Sequence, residues 1–300
     1  MNETKKDNRA PVKAARIAGK YAILAASLGL VGLIILNIDK VKELFKNTPD
    51  KVKSEYTIPE MIKISGGSYS IGLSDVLLES LIESNYGTRE DFLNEMPQIK
   101  ITINDFEISK YEINVKQFNE YLKDVKNRTI ELPSKFNSEN QPIINVTWND
   151  ANNYCLWLSQ KTGEKYRLPS ENEWEIASKG NTQNLYPWGN DNPNKNNCNF
   201  KYSFINSTIP NGKMPSNRSV FGVYNMSGNV AEWCSDWYHP NHYELIEGKK
   251  NIKLFESQDK VIRGGGWNSE VFYLRNTARY YASPNNKSNA IGFRIIKVLN

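Results

Sequence analysis

A chain of 300 residues with 39% hydrophobic and 11% aromatic content can bury a core of ordinary size, which excludes a disordered or collagen-like polypeptide. Its 38 Lys/Arg and 33 Asp/Glu are unevenly spread: residues 1–53 hold 11 against 5, leaving 27 against 28 in the remainder. The net charge of +5 therefore belongs to the N-terminal segment, and the near-neutral remainder lacks the basic clustering a nucleic-acid surface needs.

The first element along the chain is "YAILAASLGLVGLIIL", residues 21–36, with no charge over 16 residues. A bilayer span takes about 20 residues, so a transmembrane anchor is expected over 17–38, with Lys20 reaching back to the interface. Arg9, Lys13, Arg16 and Lys20 predict a cytoplasmic basic tail over 1–16 and an extracytoplasmic remainder, giving a single-pass membrane protein. No small-residue cleavage site follows the apolar run and the first cysteine stands at 155, so neither a cleaved signal nor a lipid-modified cysteine is expected. Residues 39–57 are charged and read as a stalk, and 58–300 as the exported domain.

The domain begins with short strands punctuated by glycine: "EMIKISGGSYSIG" alternates apolar and polar residues around Gly66-Gly67, and 99–113 alternates as a strand or hairpin. A helix follows in "NVKQFNEYLKDV", with Val115, Phe118, Leu122 and Val125 on one face. The next helix carries Trp148, Ala151, Cys155 and Leu158 on one face and ends at Gly163. In "RLPSENEWEIASKG", Ser170 and Glu173 fit the S-x-x-E capping box, which turns Trp174 and Ala177 inward. Beyond 180 the chain reads as turns with a core expected from Trp188, Trp233, Trp237 and Trp267. Cys155, Cys198 and Cys234 match no zinc ribbon; one thiol must stay unpaired, and a Cys198–Cys234 disulfide stays open.

Six blocks, "PEMIKISGGSYSIG", "PIINVTWNDANNYCLWLSQKTGEKYRLPSENEWEIASKG", "YPWGN", "FGVYNMSGNVAEWCSDWY", "VIRGGGW" and "NAIGFRI", occur in the order of the formylglycine-generating enzyme (sulfatase-modifying factor) family, which the chain resembles over about residues 59–298. The resemblance implies a single, loop-rich α+β domain related to C-type lectins. Enzymes of that family hold copper(I) on a cysteine pair after the RGG-x-W motif, and soft thiolates suit that ion. Ser269 and Leu274 stand there instead, so copper oxidation is not expected. The related iron-dependent sulfoxide synthases need a histidine cluster; His239 and His242 could form a 2-His-1-carboxylate set with Glu244, but both read as exposed loop histidines, so iron is not expected either.

The same resemblance implies a structural calcium site in "NMSGNVAEW". Asn225 would bind through its side-chain oxygen, Gly228 and Val230 through carbonyls, and Glu232 through its carboxylate, a hard oxygen set with Gly228 allowing the turn. A second family site would use Asn199 and the Phe200 carbonyl, but the loop after them lacks the usual aspartate.

Half of the 22 residues from Asn268 to Asn289 are Asn, Tyr or Ser, a composition suited to binding loops. The expected ligand face is Trp267, Asn268, Ser269, Phe272, Tyr273, Tyr280 and Tyr281. The span from "VIRGGGW" to "NAIGFRI" also resembles the variable region of diversity-generating retroelement target proteins, which implies a diversified display surface. The expected function is thus a membrane-anchored, non-catalytic binding domain for a protein or surface ligand. The alternatives are a scaffold subunit of an envelope complex, as in relatives that act in gliding and secretion, and a formylglycine-generating-type oxidoreductase.

Overall fold

The structure, a computed structural model, describes residues 56–248 and 256–299. The expected basic tail (1–16), the anchor (17–38) and the stalk as far as 55 lie outside the described residues. Among the described residues no helix is long and apolar enough to cross a membrane.

The domain opens with strands β1 (Met61–Ile64) and β2 (Gly67–Ile71), helix α1 (Asp75–Glu83), and strands β3 (Ile99–Ile103) and β4 (Phe106–Ser109). β1 pairs with β4 and β2 with β3, both antiparallel, so 61–71 and 99–109 run beside each other as one ribbon. The ribbon changes sheets where Gly66 meets Asp105. A Cβ at Gly66 would lie 2.8 Å from the Asp105 nitrogen, and Asp105 Oδ1 accepts from the Gly66 N–H at 2.7 Å. Of the strand or hairpin expected over 99–113, strands form but do not pair with each other: they belong to different sheets, and each takes a partner from the 61–71 segment.

Helices α2 (Val115–Lys126), α3 (Trp148–Thr162) and α4 (Glu171–Lys179) follow, with strand β5 (Tyr166–Arg167) between the last two. Each starts on a capping box, from Asn114, Thr147 and Ser170, because a side-chain oxygen at each satisfies an orphan N–H of the first turn. Ser170 and Glu173 make the predicted box, and Trp174 and Ala177 are buried. Gly163 ends α3 in the left-handed conformation at φ 76°. On α2, Val115, Phe118 and Leu122 point inward, but Val125 is exposed and Tyr121 completes the buried face. Trp148 is only partly buried; its Nε1 donates to the Cys234 carbonyl at 2.8 Å.

The last elements are β6 (Ala231–Trp237), α5 (His242–Ile246), β7 (Lys260–Arg263), β8 (Arg279–Ala282), β9 (Ile291–Gly292) and β10 (Ile296–Val298). They build a four-stranded sheet in the order β8-β7-β6-β9, with β6 and β9 parallel. β10 returns to the first sheet, in the order β1-β4-β10-β5. Of the four tryptophans expected as core in this half, only Trp233 is fully buried. Trp237 is exposed, with the Lys260 ammonium 3.8 Å from its ring centroid. The three cysteines are buried and free, so Cys198 and Cys234 are not joined.

What organises this turn-rich half is buried charge. Arg275 holds Glu95 with two bonds of 2.7 and 2.8 Å, Arg279 holds Glu171 at 2.6 and 2.9 Å, and Arg294 holds Glu232 at 2.6 and 2.8 Å. Arg263 bonds Glu175 at 2.7 Å and also donates to the carbonyls of Asn276, Thr277 and Ala278, stapling that loop to β7. Breaking one such pair strands a buried charge, at a cost of about 3–5 kcal/mol.

Candidate functional site

After Arg263 the chain turns through Gly264 and Gly265, at φ 88° and 67°. The left-handed region and the space both require glycine here: a Cβ at Gly264 would lie 2.9 Å from the Trp174 ring, and one at Gly265 2.9 Å from the Tyr273 carbonyl. Ser269 closes the turn, its N–H donating to the Gly266 carbonyl at 3.0 Å and its Oγ accepting from the Gly266 N–H at 2.9 Å.

Above this turn sits a cavity of about 270 Å³. Ile262, Ala231, Ala290 and Ile291 form its apolar floor, Tyr273 and Tyr280 stand edge to face at 4.8 Å as a wall, and Asn268, Ser269 and Ser288 form the rim. Among the described residues no Asp, Glu, Lys or Arg lines it. The Tyr280 hydroxyl is shielded from solvent and has no hydrogen-bond partner among the described residues, and burial pushes its phenol well above the usual range.

Of the expected ligand face, Asn268, Ser269, Tyr273 and Tyr280 come together at this cavity. Three residues do not. Trp267 packs beside the rim on Phe136 at 5.9 Å and donates from Nε1 to the Asn289 carbonyl. Phe272 stacks inward on Phe92 at 5.5 Å, with the Arg275 guanidinium against it. Tyr281 emerges from the opposite face of β8, where it meets Tyr238 at 4.3 Å, because successive strand residues alternate faces. The window 268–289 is also not a continuous surface, since Leu274 through Arg279 are buried.

The two positions at which the resembled oxidases carry their copper cysteines flank Gly265: Ser269 Cβ and Leu274 Cδ2 lie 3.3 and 3.0 Å from a Cβ placed there. Ser269 spends its hydroxyl on the turn, and Leu274 is fully buried among Tyr186, Cys198 and Phe200. The Cys198 thiol donates to the Ser227 carbonyl at 3.3 Å, and burial raises it far above the thiolate range. His242 is not an exposed loop residue, as expected, but opens α5, partly buried. Its Nε2 lies 2.8 Å from Asn172 Oδ1 and 3.8 Å from Glu171. His239 is partly buried as well. Glu244 accepts from Asn241 at 2.7 Å. Among the described residues no group of three or more His, Cys, Asp and Glu is arranged to hold a metal.

The four expected calcium ligands lie on one loop leading into β6, and the carboxylate among them is already committed. Both Glu232 oxygens accept from Arg294, and Oε2 also accepts from Trp174 Nε1 at 2.7 Å. Asn225 turns its amide nitrogen to Glu112 at 3.0 Å, and Asn229 does the same at 2.9 Å. Burial pushes the Glu112 carboxyl up to about 7, against the pull of Arg294 and with the push of Glu232. Gly228, at φ 79°, lies so close to the Asn199 carbonyl that a Cβ would sit 2.4 Å from it, and Val230 is buried beside Phe136. The Arg294 guanidinium already neutralises the only carboxylate of the set, so Glu232 as arranged is not free to face a calcium ion. Asn199 Oδ1 and the Phe200 carbonyl both accept from Ser203, so the second expected pair closes its own turn.

The glycine turn and the rim are legible in the sequence, whereas the floor and the buried charge network are not among the expected site residues. The charge network alone has a signal in the sequence, arginine embedded in apolar or glycine stretches, as in "VIRGGG" and "GFRII".

Comparison with known proteins gives a consistent result. A family described as "Sulfatase-modifying factor enzyme 1-like domain" matches residues 46–299. Serine/threonine-protein kinase Pkn1 of Chlamydia trachomatis serovar L2 is 31% identical over 270 residues, 83% of this chain and 40% of that protein. The chain thus spans about two fifths of the length of the curated kinases it matches. Formylglycine-generating enzyme of Mus musculus is 36% identical over 172 residues, 52% of this chain and 44% of the enzyme. The structure of PvdO from Pseudomonas aeruginosa superposes with a TM-score of 0.67 at 28% identity, covering 80% of this chain and 95% of PvdO.

Proposed function

Because the chain belongs to the sulfatase-modifying factor enzyme 1-like domain family, we propose that it is a non-catalytic member of it: a membrane-anchored, outward-facing binding domain whose ligand enters the cavity behind the 264–269 turn. The observation that carries this reading is the replacement of the oxidase thiol pair by a turn-closing Ser269 and a core Leu274. Hydroxyl and alkyl groups neither bind copper(I) nor exchange with a substrate thiol. What is left is a neutral, partly apolar hollow with a tyrosine wall, which suits binding. Similarity to a protein named as a kinase supports a role outside cysteine oxidation for part of this family.

The test is a copper(I) competition titration of the full chain against a chromogenic chelator. The reading predicts no specific 1:1 complex; a tight complex that quenches cavity tyrosine fluorescence would remove it.

A further inference from the structure

Beside the cavity the usual polarity of a surface loop is inverted. In "KYSFIN", residues 201–206, Ser203 is buried at 8% exposure while Tyr202, Phe204 and Ile205 stand out at 47%, 77% and 41%. Ser203 is drawn inward because its hydroxyl bonds Asn199 Oδ1 at 3.0 Å and the Phe200 carbonyl at 2.7 Å. Phe204 then holds φ 61°, a left-handed conformation that costs an aromatic residue about 1 kcal/mol or more. Neither the strain nor the exposed ring improves the folded domain. Strained backbone presenting apolar side chains is a mark of a surface kept for contact.

The loop is pinned at both ends to the cavity turn. The Lys201 N–H donates to the Ser269 carbonyl at 3.1 Å, and its ammonium pairs with Glu270, which also bonds the Tyr202 hydroxyl. At the other end the Asn206 carbonyl accepts from Lys135 at 3.2 Å, whose ammonium lies 5.6 Å from the Trp267 ring centroid. Tyr202 is thereby held beside Ser269 and Glu270, which flank exposed Asn268, and Phe204 and Ile205 follow it in the same short loop.

We propose that the 202–205 loop and the cavity mouth form one docking face for a protein partner that presents an uncharged, apolar segment. Charge selects this occupant. The cavity lining is neutral, Lys201 is matched by Glu270, and Lys135 is held by a carbonyl and two aromatic rings, so the face offers no free cationic cluster for nucleic acid or anionic lipid. A charged side chain entering the cavity would be desolvated without a counterion, whereas an apolar one gains the aliphatic floor. The pocket half of this face rests on the binding reading above; the loop half stands on its own geometry.

The experiment is selection of a phage-displayed random peptide library on the full chain, followed by affinity measurement of the enriched peptides. The expected outcome is an uncharged, apolar consensus whose affinity falls at least about tenfold for Phe204→Asn or Ile205→Ser and is unchanged for Val76→Ser, an exposed residue of α1. Asparagine adopts the left-handed region readily, so Phe204→Asn removes the ring without disturbing the loop. Failure to enrich, a charged consensus, or affinity indifferent to both loop variants overturns the proposal. Sedimentation with anionic vesicles that Phe204→Asn abolishes also overturns it, in favour of lipid. Loss with the loop variants but not with Tyr273→Ala supports the loop face and instead removes the cavity as the ligand's seat.

Discussion

At the scale of single residues, the domain depends on arginines that surface reasoning would place in water. Arg294 is fully buried, and besides Glu232 it donates to the carbonyls of Ser109 and Tyr224, joining β4, the 217–225 loop and β6. Arg294→Met would leave Glu232 buried without its counterion, and a loss of about 3–5 kcal/mol is expected in urea denaturation. Because that guanidinium supplies the positive charge at the 225–232 loop, chelator should leave the melting temperature of the wild-type chain unchanged; a drop would restore calcium to the loop. Glu171 gives the pH dependence. Burial alone would raise its carboxyl, but Arg279, Arg263 and His242 together hold it down at about 2, below the usual value near 4.5. A folded value below the unfolded one means the stabilisation, about 3 kcal/mol, is fully present above the unfolded value and is lost as pH falls from about 4.5 toward 2. Melting temperature should decline across that window, and Glu171→Gln should flatten the decline while lowering the neutral-pH value.

At the scale of elements, the helices were legible and the sheet partners were not. Helix starts are written locally: Ser170 and Glu173 are three residues apart, and the box they form was readable before any fold was known. Ser170→Ala should therefore cost about 1 kcal/mol in chemical denaturation. Strand pairing depends on residues far apart in sequence, so the alternation of 99–113 identified strands without showing that Ile64 opposes Phe106 while Gly67 opposes Ile103. Val125 was misplaced because a regular helical period was carried past the point where α2 leaves the core. Trp237 was misplaced because aromatic composition does not distinguish a core indole from one lying against the Lys260 ammonium at the surface. For the site, glycine and aromatic spacing indicated the turn and rim, but the floor is assembled from β6, β7 and β9, and no single stretch announces it.

At the scale of the whole molecule, six ordered motifs carried the family and its α+β fold, and both hold: the family spans 46–299, and the domain mixes helices with two four-stranded sheets and a ribbon. The proposed function departs from that of the formylglycine-generating enzymes at Ser269 and Leu274, which stand where the resemblance places their cysteine pair. The apolar run of residues 21–36 supports anchoring of the full chain. Alkaline carbonate should leave the chain in the membrane pellet, and protease added to intact cells should digest the domain; release by carbonate would contradict the anchor. The central claim, a binding domain on an oxidase fold, is tested most directly by incubating the copper(I)-supplied full chain with a cysteine-containing sulfatase-motif peptide and oxygen, then weighing the peptide by mass spectrometry. The account predicts an unchanged mass. Loss of the mass that accompanies conversion of cysteine to formylglycine would contradict it.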